Sequence, residues 1–153
     1  MTLTTPRVHV ALAVSDLARS VAFYEQLFDQ APVKNRPGYA KFELTSPRMN
    51  FTLNEVAKVQ VPPKPAHYGI EVAKPADVSA FARRVGQAGL DTLAEDNVTC
   101  CYAVMDKVWV HDPDGHAWEV FAITQADAPS LSPAQSLDDA SDEAPCCGPS
   151  CCT

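Results

Sequence analysis

His9-Val10-Ala11-Leu12-Ala13-Val14 and His67-Tyr68-Gly69-Ile70-Glu71-Val72 follow one pattern. Each opens with histidine and alternates like a strand, and the interval from His9 to Phe23 equals that from His67 to Phe81. A helical period follows each. Leu17, Val21, Tyr24, Leu27 and Phe28 recur at steps of three and four after the first, and Val78, Phe81, Ala82, Val85 and Ala88 after the second. Ser15 or Asp16 can cap the first helix, and Pro75 can open the second. Beyond each helix come three short strand-like runs separated by turn residues, near 31–35, 39–45 and 49–56, then near 91–95, 103–111 and 116–123. The chain therefore reads as α+β: two tandem βαβββ modules, about 7–57 and 65–124, joined by the stiff connector Val61-Pro62-Pro63-Lys64-Pro65. The duplication predicts mixed sheets cupped around a common site, in one domain spanning 1–124.

Side-chain parity selects the residues that face such a site, because successive residues of a strand point to opposite faces. Val8, Val10, Leu12 and Val14 share a face suited to helix packing, which leaves His9 with the small Ala11 and Ala13. Tyr68, Ile70 and Val72 leave His67 with Gly69 and Glu71, and Trp118 and Val120 leave Glu119 with Ala117 and Phe121. A histidine at a strand end ordinarily does no more than hydrogen-bond. Two at duplicated positions on small-residue faces, with an inward glutamate on a third strand, predict a divalent metal held by His9, His67 and Glu119. Such a facial set leaves coordination positions open to substrate, water or dioxygen. His111 and His116 bracket Asp112-Pro113-Asp114-Gly115, a hairpin turn signal that accounts for them structurally. Glu55 ends the matching strand of the first module, but the repeat aligns Glu119 nearer Phe51 to Leu53, so no fourth ligand is expected.

A chain of 153 residues can bury a core without disulfides. No run of 18 apolar residues occurs and no signal-peptide pattern opens the sequence, so a soluble cytoplasmic protein without membrane contact is expected. The formal charge is −7, but from Gln125 onward Asp127, Asp138, Asp139, Asp142 and Glu143 meet no Lys or Arg, which leaves the body near neutral. No basic face for nucleic acid is expected. The tail 125–153, poor in large apolar residues, is predicted to be disordered. All 6 cysteines fall in adjacent pairs, Cys100-Cys101, Cys146-Cys147 and Cys151-Cys152. Adjacent cysteines close only a strained ring when oxidised, so in a reducing compartment they read as dithiols for a soft metal or metalloid.

His9, His67 and the run His111-Asp112-Pro113-Asp114-Gly115-His116-Ala117-Trp118-Glu119 resemble the vicinal oxygen chelate superfamily of glyoxalases, extradiol dioxygenases and fosfomycin-resistance transferases, over about residues 7 to 124. The resemblance implies the same metal roles for His9, His67 and Glu119. Relatives usually carry Asn after the turn glycine, where this chain has His116, a departure that touches no ligand. Within that superfamily, Thr99-Cys100-Cys101-Tyr102-Ala103, Asp106-Lys107-Val108-Trp109-Val110 and Arg36-Pro37-Gly38-Tyr39-Ala40 resemble the carbon-arsenic lyases, also described as cadmium-induced proteins. That likeness implies an iron(II)-dependent dioxygenase that removes the organic group from trivalent organoarsenicals to give arsenite and arsenical resistance, with Cys100 and Cys101 holding the arsenic.

A monoorganyl arsenic(III) centre has two valences beyond its As-C bond, and two thiolates fill them. Adjacent strand residues point apart, so both sulfurs can face one way only on a loop or bulge; Asp96-Asn97 just upstream suggests a loop. Tyr102 and Lys107 are candidate substrate-binding groups. The tail pairs are candidate soft-metal or metalloid ligands, and the state of assembly, homodimer or not, is left open by the sequence. The alternatives are a glutathione lyase or thiol transferase of the same superfamily, and a non-catalytic cadmium- or arsenite-binding protein.

Overall fold

The computed structural model describes residues 7–63, 66–100 and 103–127, with the Cys100 side chain left out. Cys101, Tyr102, the tail beyond Asp127 and the cysteines within it lie outside the described residues. The chain forms two compact units, one reaching to Val61 and including His111–His116, the other holding Pro62–Val110 and the residues from Ala117. Each contains a four-stranded mixed sheet and one helix, so the α+β architecture expected from the duplication holds.

The first unit runs β1 (Val8–Val14), α1 (Leu17–Phe28), β2 (Lys34–Arg36), β3 (Tyr39–Thr45) and β4 (Arg48–Glu55), with sheet order β1-β4-β3-β2 and β1 parallel to β4. A parallel neighbour demands a crossover, which α1 supplies. Its start is fixed twice: the Asp16 side chain accepts from the Arg19 N–H at 2.9 Å, and Glu55 Oε1 accepts from the Leu17 N–H at 2.9 Å. Glu55 is thus a helix cap in this unit. Val21, Tyr24 and Leu27 are buried along the predicted stripe, and Tyr24 and Phe28 pack their rings 4.6 and 5.1 Å from that of Phe51 on β4. Burial grows along β1, from Val8 at 63% exposed to Val14 with none.

The second unit runs β5 (Tyr68–Glu71), α2 (Pro75–Gln87), β6 (Leu93–Cys100), β7 (Ala103–His111) and β8 (Ala117–Gln125), with order β5-β8-β7-β6 and β5 parallel to β8. Pro75 opens α2 as predicted. Val78 of α2 packs on Val108, Val120 and Ala122, with Ile70, Val72 and Phe81 around them. One expectation is corrected. The run near 91–95 does not give way to a loop at Asp96-Asn97 but continues as strand to Cys100, and the irregularity is a bulge between Glu95 and Val98, where Asn97 takes φ 56°. The Asn97 N–H donates to Asp106 Oδ1 at 2.7 Å, which satisfies the backbone where the ladder is broken. No helix among the described residues is long and apolar enough to cross a membrane.

Candidate metal centre

On the sheet of the second unit, parity places Ile70, Val108 and Val120 toward α2 and their neighbours on the opposite face. Across the strand order that opposite face carries, in turn, His67 just ahead of β5, Glu119 on β8, Lys107 on β7 and Glu95 on β6. His67 Nε2 stands 3.2 Å from Glu119 Oε1. Lys107 Nζ is 3.9 Å from Glu119 Oε2 and 3.6 Å from Glu95 Oε2. The indole N–H of Trp109 donates to Glu95 Oε2 at 2.9 Å, while the same ring meets the His67 imidazole edge-on, centroids 5.1 Å apart. Lys107 Nζ also lies 5.2 Å from the centre of that ring.

Gly69 makes the row sterically feasible. It pairs with Glu119 across the parallel ladder, and a Cβ there would lie 3.2 Å from Glu119 Oε1 and 3.3 Å from both Glu119 Cγ and Phe121 Cε1. The equivalent pair in the first unit is Ala11 with Thr52, so Thr52 occupies the place of Glu119, within the Phe51 to Leu53 window that the repeat predicts.

His67 and Glu119 are therefore brought together on one face of this sheet. Two donors each about 2.1 Å from one ion, at octahedral or tetrahedral angles, sit roughly 3.0 to 3.4 Å apart. The observed 3.2 Å suits a shared divalent ion. His9 belongs to the first unit, where its Nδ1 lies 3.0 Å from the Asn50 carbonyl oxygen. An Nδ1–H donated there leaves the Nε2 lone pair to act as ligand. Within neither unit do three His, Cys, Asp or Glu side chains converge among the described residues.

Lys107, foreseen as a group that touches substrate, is 1% exposed and sits between two carboxylates. Cys100 ends β6 opposite Ala103, and the bulge between Glu95 and Val98 lies upstream of it. Glu95, Trp109 and the steric part played by Gly69 were not foreseen. Glu95 faces Lys107 only once the register Glu95 with Lys107 is known.

His111 is exposed, and His116 has the turn role predicted for it. Its Nδ1 lies 2.8 Å from Asp112 Oδ2, which also accepts from the Tyr24 hydroxyl at 2.8 Å; Asp112 Oδ1 accepts from the backbone N–H groups of Asp114 and His116. Burial pushes the Asp112 carboxyl upward, but the hydrogen bonds from His116 and Tyr24 outweigh it and hold the group below the usual aspartate value.

The family described as Glyoxalase/Bleomycin resistance protein/Dioxygenase superfamily matches residues 7–120. A trivalent organoarsenical cleaving enzyme of Bacillus sp. (strain MD1) is 49% identical over 117 residues, covering 74% of this chain and 70% of that protein. One of the same name from Thermomonospora curvata is 42% identical over 143 residues, covering 94% and 89%. Among solved structures, a glyoxalase/bleomycin resistance protein/dioxygenase from Nocardioides superposes with TM-score 0.63 at 21% identity, covering 86% of this chain and 92% of that one.

Proposed function

The chain belongs to the glyoxalase/bleomycin resistance protein/dioxygenase superfamily, and from that premise we propose that it cleaves the carbon-arsenic bond of trivalent organoarsenicals as an iron(II)-dependent dioxygenase. The observation that carries this is the 42% identity, along 94% of the chain, to a protein named for that cleavage. The His67 and Glu119 donors 3.2 Å apart support a metal held between them, and His9 enters as third ligand on the sequence repeat and the resemblance alone.

The work of the chain's own residues begins with capture. The Cys100 and Cys101 thiols condense with the two hydroxyls of an organoarsonous acid, forming two As-S bonds and releasing two waters, with arsenic staying trivalent. His67, just ahead of β5, and Glu119 on the neighbouring β8 would supply one nitrogen and one oxygen donor. When bound, iron(II) supplies the activation of dioxygen that oxidation of the arsenic-bearing carbon requires. For the methyl substrate the atoms balance: methylarsonous acid and dioxygen together contain those of arsenous acid and formaldehyde. Carbon is oxidised and dioxygen reduced, and arsenic leaves as arsenite. Capture needs free thiols, which fits a reducing, cytoplasmic setting.

The test is anaerobic loading of the full chain with iron(II), addition of methylarsenite and air-saturated buffer, and separation of arsenic species. Arsenite release that stops on chelation of iron is expected. Iron-loaded protein that consumes dioxygen and leaves methylarsenite intact would overturn the proposal.

A further inference from the structure

We infer that Lys107, Glu95 and Trp109 form a positioning set that fixes the Glu119 carboxylate beside His67 and tunes the charge of the row for a divalent cation; this rests on the metal reading above. Lys107 is no candidate for direct contact with a substrate, since it is 1% exposed and its ammonium faces carboxylates on both sides. A buried ammonium must be compensated, and here the compensation is divided. At 3.6 Å from Glu95 and 3.9 Å from Glu119 both contacts exceed hydrogen-bond length, so they act as ion pairs that leave each carboxylate oxygen able to bond elsewhere. Glu119 thereby has two distinct oxygens, Oε2 held toward Lys107 and Oε1 directed to His67 Nε2.

Glu95 is what lets Lys107 stay there without cancelling Glu119. With both carboxylates ionised, Lys107 protonated and His67 neutral, the row has one excess negative charge, which favours a dication. Without Glu95 it would be neutral, and binding would put two uncompensated positive charges in a poorly solvated place. Trp109 ties the ends together. Its N–H donates to the same Glu95 oxygen that faces Lys107, and its ring abuts the His67 imidazole at 78°. Partners of this kind, one step removed from a metal, change affinity by about 10- to 100-fold.

Manganese(II) is the probe, because it favours oxygen and nitrogen donors over the thiols of this chain. Affinity and the spectrum of the bound ion are read by electron paramagnetic resonance on the full-length protein. Glu95→Gln is expected to weaken manganese(II) binding about 10- to 100-fold and Trp109→Phe, which keeps the ring against His67 but removes the N–H, about 10-fold. Lys107→Met is expected to alter the spectrum of the bound ion, and Lys107→Arg to restore much of it. Thermal unfolding of the metal-free variants reports the structural contribution separately. If Glu95→Gln and Trp109→Phe are folded and bind manganese(II) with wild-type affinity and spectrum, the three residues are only a buried staple and the inference falls. Failure of the metal reading looks different: the wild type does not bind, or Glu119→Gln binds as well as the wild type, and the inference is then overturned with it.

Discussion

Gly69→Ala isolates the geometry of the row from its chemistry, since it removes no donor and no charge. The added Cβ would lie 3.2 Å from Glu119 Oε1 and 3.3 Å from Glu119 Cγ and Phe121 Cε1. Comfortable contacts begin near 3.5 Å, so Glu119 must withdraw by about 0.3 Å. Donor distances in a metal site tolerate about 0.2 Å, and the atom displaced is the one that faces His67 at 3.2 Å. The shift therefore exceeds the tolerance, and manganese(II) affinity should fall at least about tenfold, equivalent to 1.4 kcal/mol. Folding should respond much less. Gly69 does not have a left-handed φ, so alanine gains about 0.4 to 1 kcal/mol through the unfolded state, set against about 1 to 3 kcal/mol for overpacking. The assay pairs an electron paramagnetic resonance titration with urea unfolding of the metal-free protein. A Gly69→Ala protein that binds manganese(II) as tightly as the wild type, with the same spectrum, would refute the claim that Gly69 sets the position of Glu119.

Replacing both Cys100 and Cys101 with serine should abolish retention of methylarsenite and arsenite release while leaving manganese(II) binding at His67 and Glu119 within about twofold, since serine keeps the size but not the thiolate affinity for arsenic; unchanged turnover would remove the cysteines from the mechanism. Asp112 gives a pH signature. Its carboxyl is depressed in the folded chain, so its stabilisation is complete above the unfolded value near 4 and is lost as pH falls through the lower folded value. Asp112→Asn should cost about 1.5 to 3 kcal/mol at pH 7, where it weakens bonds to Tyr24 and His116, and should flatten the acid limb of the urea midpoint plotted against pH. An acid limb as steep as that of the wild type would show that Asp112 is not its source.

The duplication made most of the fold legible. Two apolar stripes at helical spacing gave α1 and α2 almost to the residue, because Asp16 and Pro75 are strong local start signals. The parity of His67, Glu119 and their neighbours identified a polar face before any register was known, since Ile70, Val108 and Val120 leave no other place for a buried core. What stayed hidden depended on register. Asp96-Asn97 looks like a turn, and locally it behaves as one, with Asn97 at positive φ; β7 nevertheless keeps the strand running past it and absorbs the extra residues as a bulge. That continuation brings Glu95 opposite Lys107. A lysine in a strand is read as exposed by default, and nothing short in sequence says that two glutamates and a tryptophan bury it.

The two modules show why a repeat can predict a site and still not repeat it. At the matching ladder positions the first pairs Ala11 with Thr52 and the second Gly69 with Glu119. The cross-strand partner trades size against size: a methyl group faces threonine in the first unit, and in the second its absence lets Glu119 Oε1 lie 3.2 Å from where that methyl would stand. The second module therefore differs from the first at both members of the pair, and its glycine, which has no donor of its own, sets how near the strand the Glu119 carboxylate lies beside His67.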